Sequence, residues 1–263
     1  MLGKARWLLL ALVLGGCTER PTQFERTSTN AVAHGERLAR VLGCVGCHGD
    51  GLTGEDWSEP GFGRLWTSNL TIAAAQLSEE DLERTIRSGA RPDSSALWEM
   101  PSHLFTQLSE PDMRAIIAYL RSQRATGEAR PLPVLEDGAR RAIEAGAFMS
   151  SREHVTEQGD AWPPDLGDEH QLGRYIVRST CAECHGMTLA GGQPFPGAAL
   201  RPDLRMVAGY ERDDFMRLMR SGVAVGEREL ELMSDVARTR YSYFTETEVD
   251  AVYRYLQALG ATQ

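Results

Sequence analysis

An all-α chain built as two similar halves is what this 263-residue sequence predicts. Three observations carry that expectation. The run Cys44-Val45-Gly46-Cys47-His48 returns as Cys181-Ala182-Glu183-Cys184-His185. Each copy is followed by a short segment with apolar residues at helical spacing that stops at Arg-Ser-Gly, residues 82–89 and 215–222. Each half then closes with a longer helical pattern, 109–121 and 245–258, containing a Tyr-Leu pair at Tyr119-Leu120 and Tyr255-Leu256. Recurrence of a whole series of elements, in order, is the mark of internal duplication.

Bulk properties narrow the function. The chain has 28 basic and 37 acidic residues, a formal net charge of −9, and no basic cluster able to neutralise phosphates. A nucleic-acid partner is therefore excluded. An acidic surface that steers a basic partner and one that merely keeps the protein soluble fit equally well.

The first residues resemble an export signal. Lys4 and Arg6 precede an apolar stretch, 7–14, that is too short to span a bilayer as a helix. Leu14-Gly15-Gly16-Cys17 resembles the bacterial lipobox, which makes residues 1–16 a lipoprotein signal peptide and Cys17 the lipidated residue. The competing reading is an ordinary cleavage site with an incidental cysteine. Residues 17–30 are polar and patternless, as expected of a lipidated tether. No later segment is apolar enough to span, so the expected location is periplasmic, anchored by lipid on a membrane rather than threaded through it.

With Cys17 set aside, the other four cysteines form two identical C-x-x-C-H units. Three chemistries compete for them. A thioredoxin-like redox pair needs a βαβ setting that is missing here. A four-thiolate zinc site uses all four sulfurs but leaves two adjacent histidines as coincidence. Covalent haem attachment accounts for all six residues: Cys44 and Cys47, and again Cys181 and Cys184, join the haem vinyl groups, and His48 and His185 ligate iron. One helical turn from Cys44 to His48 sets both sulfurs along one porphyrin edge and aims the imidazole at the metal.

The order helix, motif, loop, helix, methionine, helix resembles the class I cytochrome c family. That resemblance implies leading helices at 33–43 and 170–180, each crossing the last helix of its half. It also implies a methionine as sixth iron ligand. Met100 and Met233 each lie thirteen residues past the arginine of their Arg-Ser-Gly, which makes them the candidates. His103 competes with Met100. Met113, Met216 and Met219 fall on helical packing surfaces, Met187 is too close to the proximal histidine, and Met206 comes too early in the repeat. The details Thr67-Ser68-Asn69-Leu70-Thr71 and Glu99-Met100-Pro101 look like those in cytochrome subunits of bacterial membrane-associated dehydrogenases, several of which carry three motifs where this chain has two.

The expected architecture is thus two tandem class I cytochrome c domains, 31–126 and 169–263, joined by a long ordered linker, 127–168, with a helix over 137–148 that packs Ile143 and Phe148. Trp57, Trp66, Trp98 and Trp162 wall the haem pockets or the domain interface, or are ordinary core and surface aromatics. His34, His154 and His170 read as surface residues. The resemblance implies two covalent haem c groups carrying single electrons between a dehydrogenase or quinol-oxidising complex and a downstream cytochrome or oxidase. No small-molecule substrate is expected. The alternatives are a dihaem enzyme of the peroxidase or thiosulfate-oxidising type and a redox-sensing lipoprotein.

Overall fold

The computed structural model describes residues 22–193 and 198–262. Helices carry almost all the regular structure among them. The N-terminal half contains α1 (Ala31–Val41), α2 (Cys44–His48), α3 (Leu70–Gln76), α4 (Glu79–Ser88), α5 (Ser102–Phe105) and α6 (Glu110–Ser122). The connecting stretch contains α7 (Asp137–Glu144) and α8 (Ser151–Gln158). The C-terminal half contains α9 (Gln171–Ser179), α10 (Ala182–His185), α11 (Arg212–Ser221), α12 (Leu232–Thr239) and α13 (Glu246–Gly260). Short 3-10 turns at Asp168–His170, Leu204–Gly209 and Tyr241–Tyr243 and two antiparallel pairs of two-residue strands accompany them: β1 (Gly63–Arg64) with β2 (Val134–Leu135), and β3 (Val223–Ala224) with β4 (Arg228–Glu229).

Local chemistry sets the helix ends. Asn30, Asn69, Ser78, Ser109 and Thr245 each accept from a free first-turn amide, the standard role of a short polar side chain at that position. At the other end, Gly89 (φ 66°) and Gly222 (φ 75°) close α4 and α11 in the left-handed conformation, where a side chain would be strained. The two Arg-Ser-Gly stops therefore act alike.

In each half the leading helix packs on the last one, α1 on α6 and α9 on α13. A glycine sits at each crossing. A Cβ on Gly35 would stand 1.8 Å from the Ala115 carbonyl oxygen, and one on Gly173 would stand 2.2 Å from that of Ala251. Tyr119 and Tyr255 press against the same two glycines. The backbones approach closely because no side chain separates them.

The halves are not separate beads. A continuous apolar cluster runs from Leu38, Met113 and Ile116 through Tyr175 and Ile176 to Val252 and Leu256. Around it, Tyr175 of α9 donates to Asp112 of α6 at 2.7 Å, and Arg37 of α1 pairs with the fully buried Glu248 of α13 at 2.7 Å. Arg178 of α9 reaches the carbonyls of Leu104 (2.6 Å), His103 (3.1 Å), Gly159 (2.8 Å) and Ala161 (3.0 Å). It stacks over Trp162 at 4.9 Å. Burial pulls this guanidinium down to about 10, and hydrogen bonds to neutral oxygens replace its hydration.

Several sequence expectations change here. The helix expected over 137–148 ends at Glu144, because the chain turns through Gly146 (φ 67°). Phe148 then packs on Trp98, ring centroids 4.8 Å apart. A second linker helix, α8, was not expected, although Ser150 and Glu153 form a capping box that an S-x-x-E search finds. It packs on α5. Within the expected tether, Phe24 is fully buried and its amide donates to Asp112 at 3.0 Å. His34 is buried beside Asp112 rather than exposed, and His154 faces His103. Cys17 and the signal-like segment lie outside the described residues. Among the described residues, no helix is long and apolar enough to cross a membrane.

Candidate functional site

The first C-x-x-C-H motif forms one helical turn, α2, entered through Gly43 (φ 85°) and left through Gly49 (φ 78°). That turn places Cys44, Cys47 and His48 on a cavity of about 270 Å³. Its walls are mainly apolar, with Leu70, Ile72, Leu82, Ile86, Leu97 and Phe105 among them, and Met100 lines the same space. Trp66 also faces it, and Trp57 and Trp98 line an adjoining recess that shares His48 and Met100.

His48 is held by one bond. Its Nδ1–H donates to the Ser68 carbonyl at 2.7 Å. With Nδ1 as donor, the lone pair belongs to Nε2, the arrangement that a metal-ligating histidine uses. Burial pulls the imidazole below its ordinary pKa, against the Ser68 bond, which favours the neutral ring, the form that ligates a metal. Asn69 secures the carbonyl's position: it caps α3, and its amide donates to the carbonyls of Thr126 (2.8 Å) and Glu128 (3.0 Å).

The second motif repeats this construction with different side chains. His185 Nδ1–H donates to the Pro202 carbonyl at 2.8 Å. Burial lowers this imidazole too. The loops that follow match bond for bond. The Leu52 amide donates to Gly49 at 2.9 Å and the Leu189 amide to Gly186 at 3.0 Å. The amides of Gly54 and Gly191 donate to the carbonyls of His48 and His185, and those of Leu70 and Leu204 donate to the carbonyls of Leu52 and Leu189. Leu52 (φ 55°) and Leu189 (φ 57°) hold the same unusual left-handed backbone. The accepting carbonyls of Ser68 and Pro202 carry no side-chain signal, so nothing in a motif marks them.

The four thiols are unpaired, and burial pushes all of them up, Cys44 to about 12 and Cys181 to about 11. They do not form one tetrahedral set: among the described residues no three His, Cys, Asp or Glu side chains converge to hold a metal ion.

The methionines differ in setting. Met113, Met216 and Met219 are core residues, and Met206 is 51% exposed. Met233 is half-buried against the core on the first turn of α12, so its setting is helical, whereas Met100 follows Glu99 (φ 62°) in irregular backbone. His103 is turned toward the linker. Its ring lies 5.4 Å from that of His154.

A family model described as cytochrome C oxidase, cbb3-type, subunit III matches residues 30–120. The chain is 25% identical to the gluconate 2-dehydrogenase cytochrome c subunit of Pantoea cypripedii, covering 96% of this chain and 65% of that protein. It is 24% identical to the alcohol dehydrogenase (quinone) cytochrome c subunit of Gluconacetobacter polyoxogenes, covering 87% of this chain and 56% of that one. It is 33% identical to cytochrome c55X of Paracoccus denitrificans (strain Pd 1222), over 34% of this chain and 84% of the relative. The chain thus spans somewhat under two thirds of the length of the two dehydrogenase subunits. Motif geometry and relatives agree: the chain belongs to the cytochrome c family, and covalently bound haem c is the prosthetic group this membership implies.

Proposed function

We propose that this protein is a dihaem electron carrier made of two cytochrome c domains, 31–126 and 169–263, tethered by a lipid on Cys17 to the periplasmic side of a bacterial membrane. Cys44 and Cys47 attach one haem and Cys181 and Cys184 the other. His48 and Met100 are the axial ligands of the first iron, His185 and Met233 those of the second. Haem supplies an iron that accepts and releases one electron.

The carbonyl-held imidazole, present twice, is the observation that carries this reading. Each backbone oxygen fixes the ring's tautomer and orientation, so the ligating nitrogen is set before the metal arrives. The apolar walls exclude water and favour the state of lower charge, which raises the reduction potential, and a thioether ligand acts in the same direction. Filled axial positions leave no room for a substrate, so the chemistry reduces to electron transfer. The two dehydrogenase cytochrome subunits among the relatives support a dehydrogenase or quinol-oxidising complex as donor and a downstream cytochrome or oxidase as acceptor.

The test is to produce the protein in a host that matures c-type cytochromes and weigh it. The expected mass exceeds that of the processed polypeptide by two haem groups. A species with one haem or none contradicts the reading.

A further inference from the structure

The two motif segments meet across the seam between the halves, and one ion pair lies at the meeting point. Arg240, at the end of α12, donates through Nη1 to Glu183 Oε2 at 2.7 Å. Its Nε donates to the Val41 carbonyl at 3.3 Å. The guanidinium lies so close to Gly43 that a Cβ there would stand 2.7 Å from Cζ. Gly43 immediately precedes Cys44, and Glu183 lies between Cys181 and Cys184. Glu183 also lines the first cavity together with Cys44, Cys47 and His48. The two side chains are only 12% and 26% exposed, so water screens the pair weakly. Arg240 Nη2 is buried with no partner.

We propose that Arg240 and Glu183 form a shared electrostatic element of both haem sites, one cation and one anion that bias the two reduction potentials together. This rests on the dihaem reading above. Reduction adds an electron to iron, so a neighbouring cation favours it and a neighbouring anion opposes it. The pair nearly cancels as a unit, and loss of either member exposes the charge of the other to both haems. Arg240 lies 55 or more residues from every residue of either motif in sequence, and only the packing of α12 and the chain after it brings the guanidinium here.

Spectroelectrochemical titration of the holoprotein tests this, with haem counted by pyridine haemochrome. Arg240→Gln is expected to lower the potential of both haems, and Glu183→Gln to raise both. Each change amounts to about threefold to tenfold in the reduction equilibrium, tenfold being about 59 mV for one electron. The double variant is expected to return both haems close to wild type. A residue that only clamps the halves would change thermal stability and leave the potentials in place. Should Arg240→Gln fail to mature, Glu183→Gln alone still reads the sign at each haem. Two haems per chain with unmoved potentials, or with a shift at one haem only, overturn this inference and leave the dihaem reading standing. Fewer than two haems in the wild type overturns both.

Discussion

The Tyr175 phenol donates to Asp112 Oδ2 at 2.7 Å and accepts from the Ser109 amide at 3.0 Å, which joins the leading helix of the C-terminal half to the last helix of the N-terminal half. Burial and the facing carboxylate both push this phenol well above its ordinary pKa, so it stays a donor. Tyr175→Phe leaves a buried carboxylate short of a partner. The expected cost is about 1–3 kcal/mol, measured as the shift in urea midpoint at constant slope. An unchanged midpoint would mean the seam does not depend on this bond.

Gly35 and Gly173 make a sharper case. Their missing side chains let α1 meet α6 and α9 meet α13 at backbone distance. Gly35→Ala and Gly173→Ala must each push a helix pair apart. Losses of about 3 kcal/mol or more are expected, because the atoms in the way are main-chain carbonyls that cannot swing aside. Thermal unfolding of the two variants reads this directly, and tolerance of either alanine would refute the crossing described.

Met100→Ala and Met233→Ala probe the distal assignments. Each is expected to abolish the sulfur-to-iron charge-transfer absorption of one haem and to lower that haem's potential. Met113→Ala is the control: it opens a core cavity at a fully buried residue, costs about 2–5 kcal/mol, and leaves both bands present. If the band survives in both of the first two variants, the sixth ligands lie elsewhere.

The His103 imidazole titrates far below its ordinary range. Burial first, and then the charges of His154 and Arg178, pull it to about 4 from a reference of 6.5. Between those two values the unfolded chain takes up a proton that the folded chain refuses, so stability falls as pH falls from 6.5 toward 4. Solvent reaches part of the ring, which brings the expected loss to on the order of 1–2 kcal/mol. His103→Gln should flatten this part of the profile. Urea midpoints at neutral pH and at the acid end of the window, wild type against variant, decide the matter. Equal losses in both proteins would assign the acid sensitivity to other groups.

What could be read from the chain alone was local. A C-x-x-C-H turn, an Asn or Ser before an amphipathic run and a Gly after Arg-Ser all act through contacts within a few residues. They therefore leave a pattern in sequence, and the pattern's recurrence exposed the repeat. The linker shows where that legibility stops. Ser150 and Glu153 do signal α8, and Gly146 marks the stop that ends α7 at Glu144, yet nothing in 137–148 announces the contact that Phe148 makes with Trp98, which belongs to tertiary packing.

Seam residues carry no such pattern. Tyr175 and Asp112 are 63 positions apart, and Arg37 and Glu248 are 211 apart. Before folding, each reads as an ordinary surface polar group. The carbonyls of Ser68 and Pro202 escape motif reading for a related reason: every residue has one, and only the loop's course decides which meets an imidazole. Sequence by itself determined the repeated C-x-x-C-H spacing and the helical elements around each copy, because spacing along a helix dictates which side chains share a face. The tertiary structure alone decided that Met100 shares a cavity with His48, that His103 faces the linker, and that Arg240 bridges the two motif segments. Those relations depend on how separate helices pack, and packing is settled by the collective burial of the shared core.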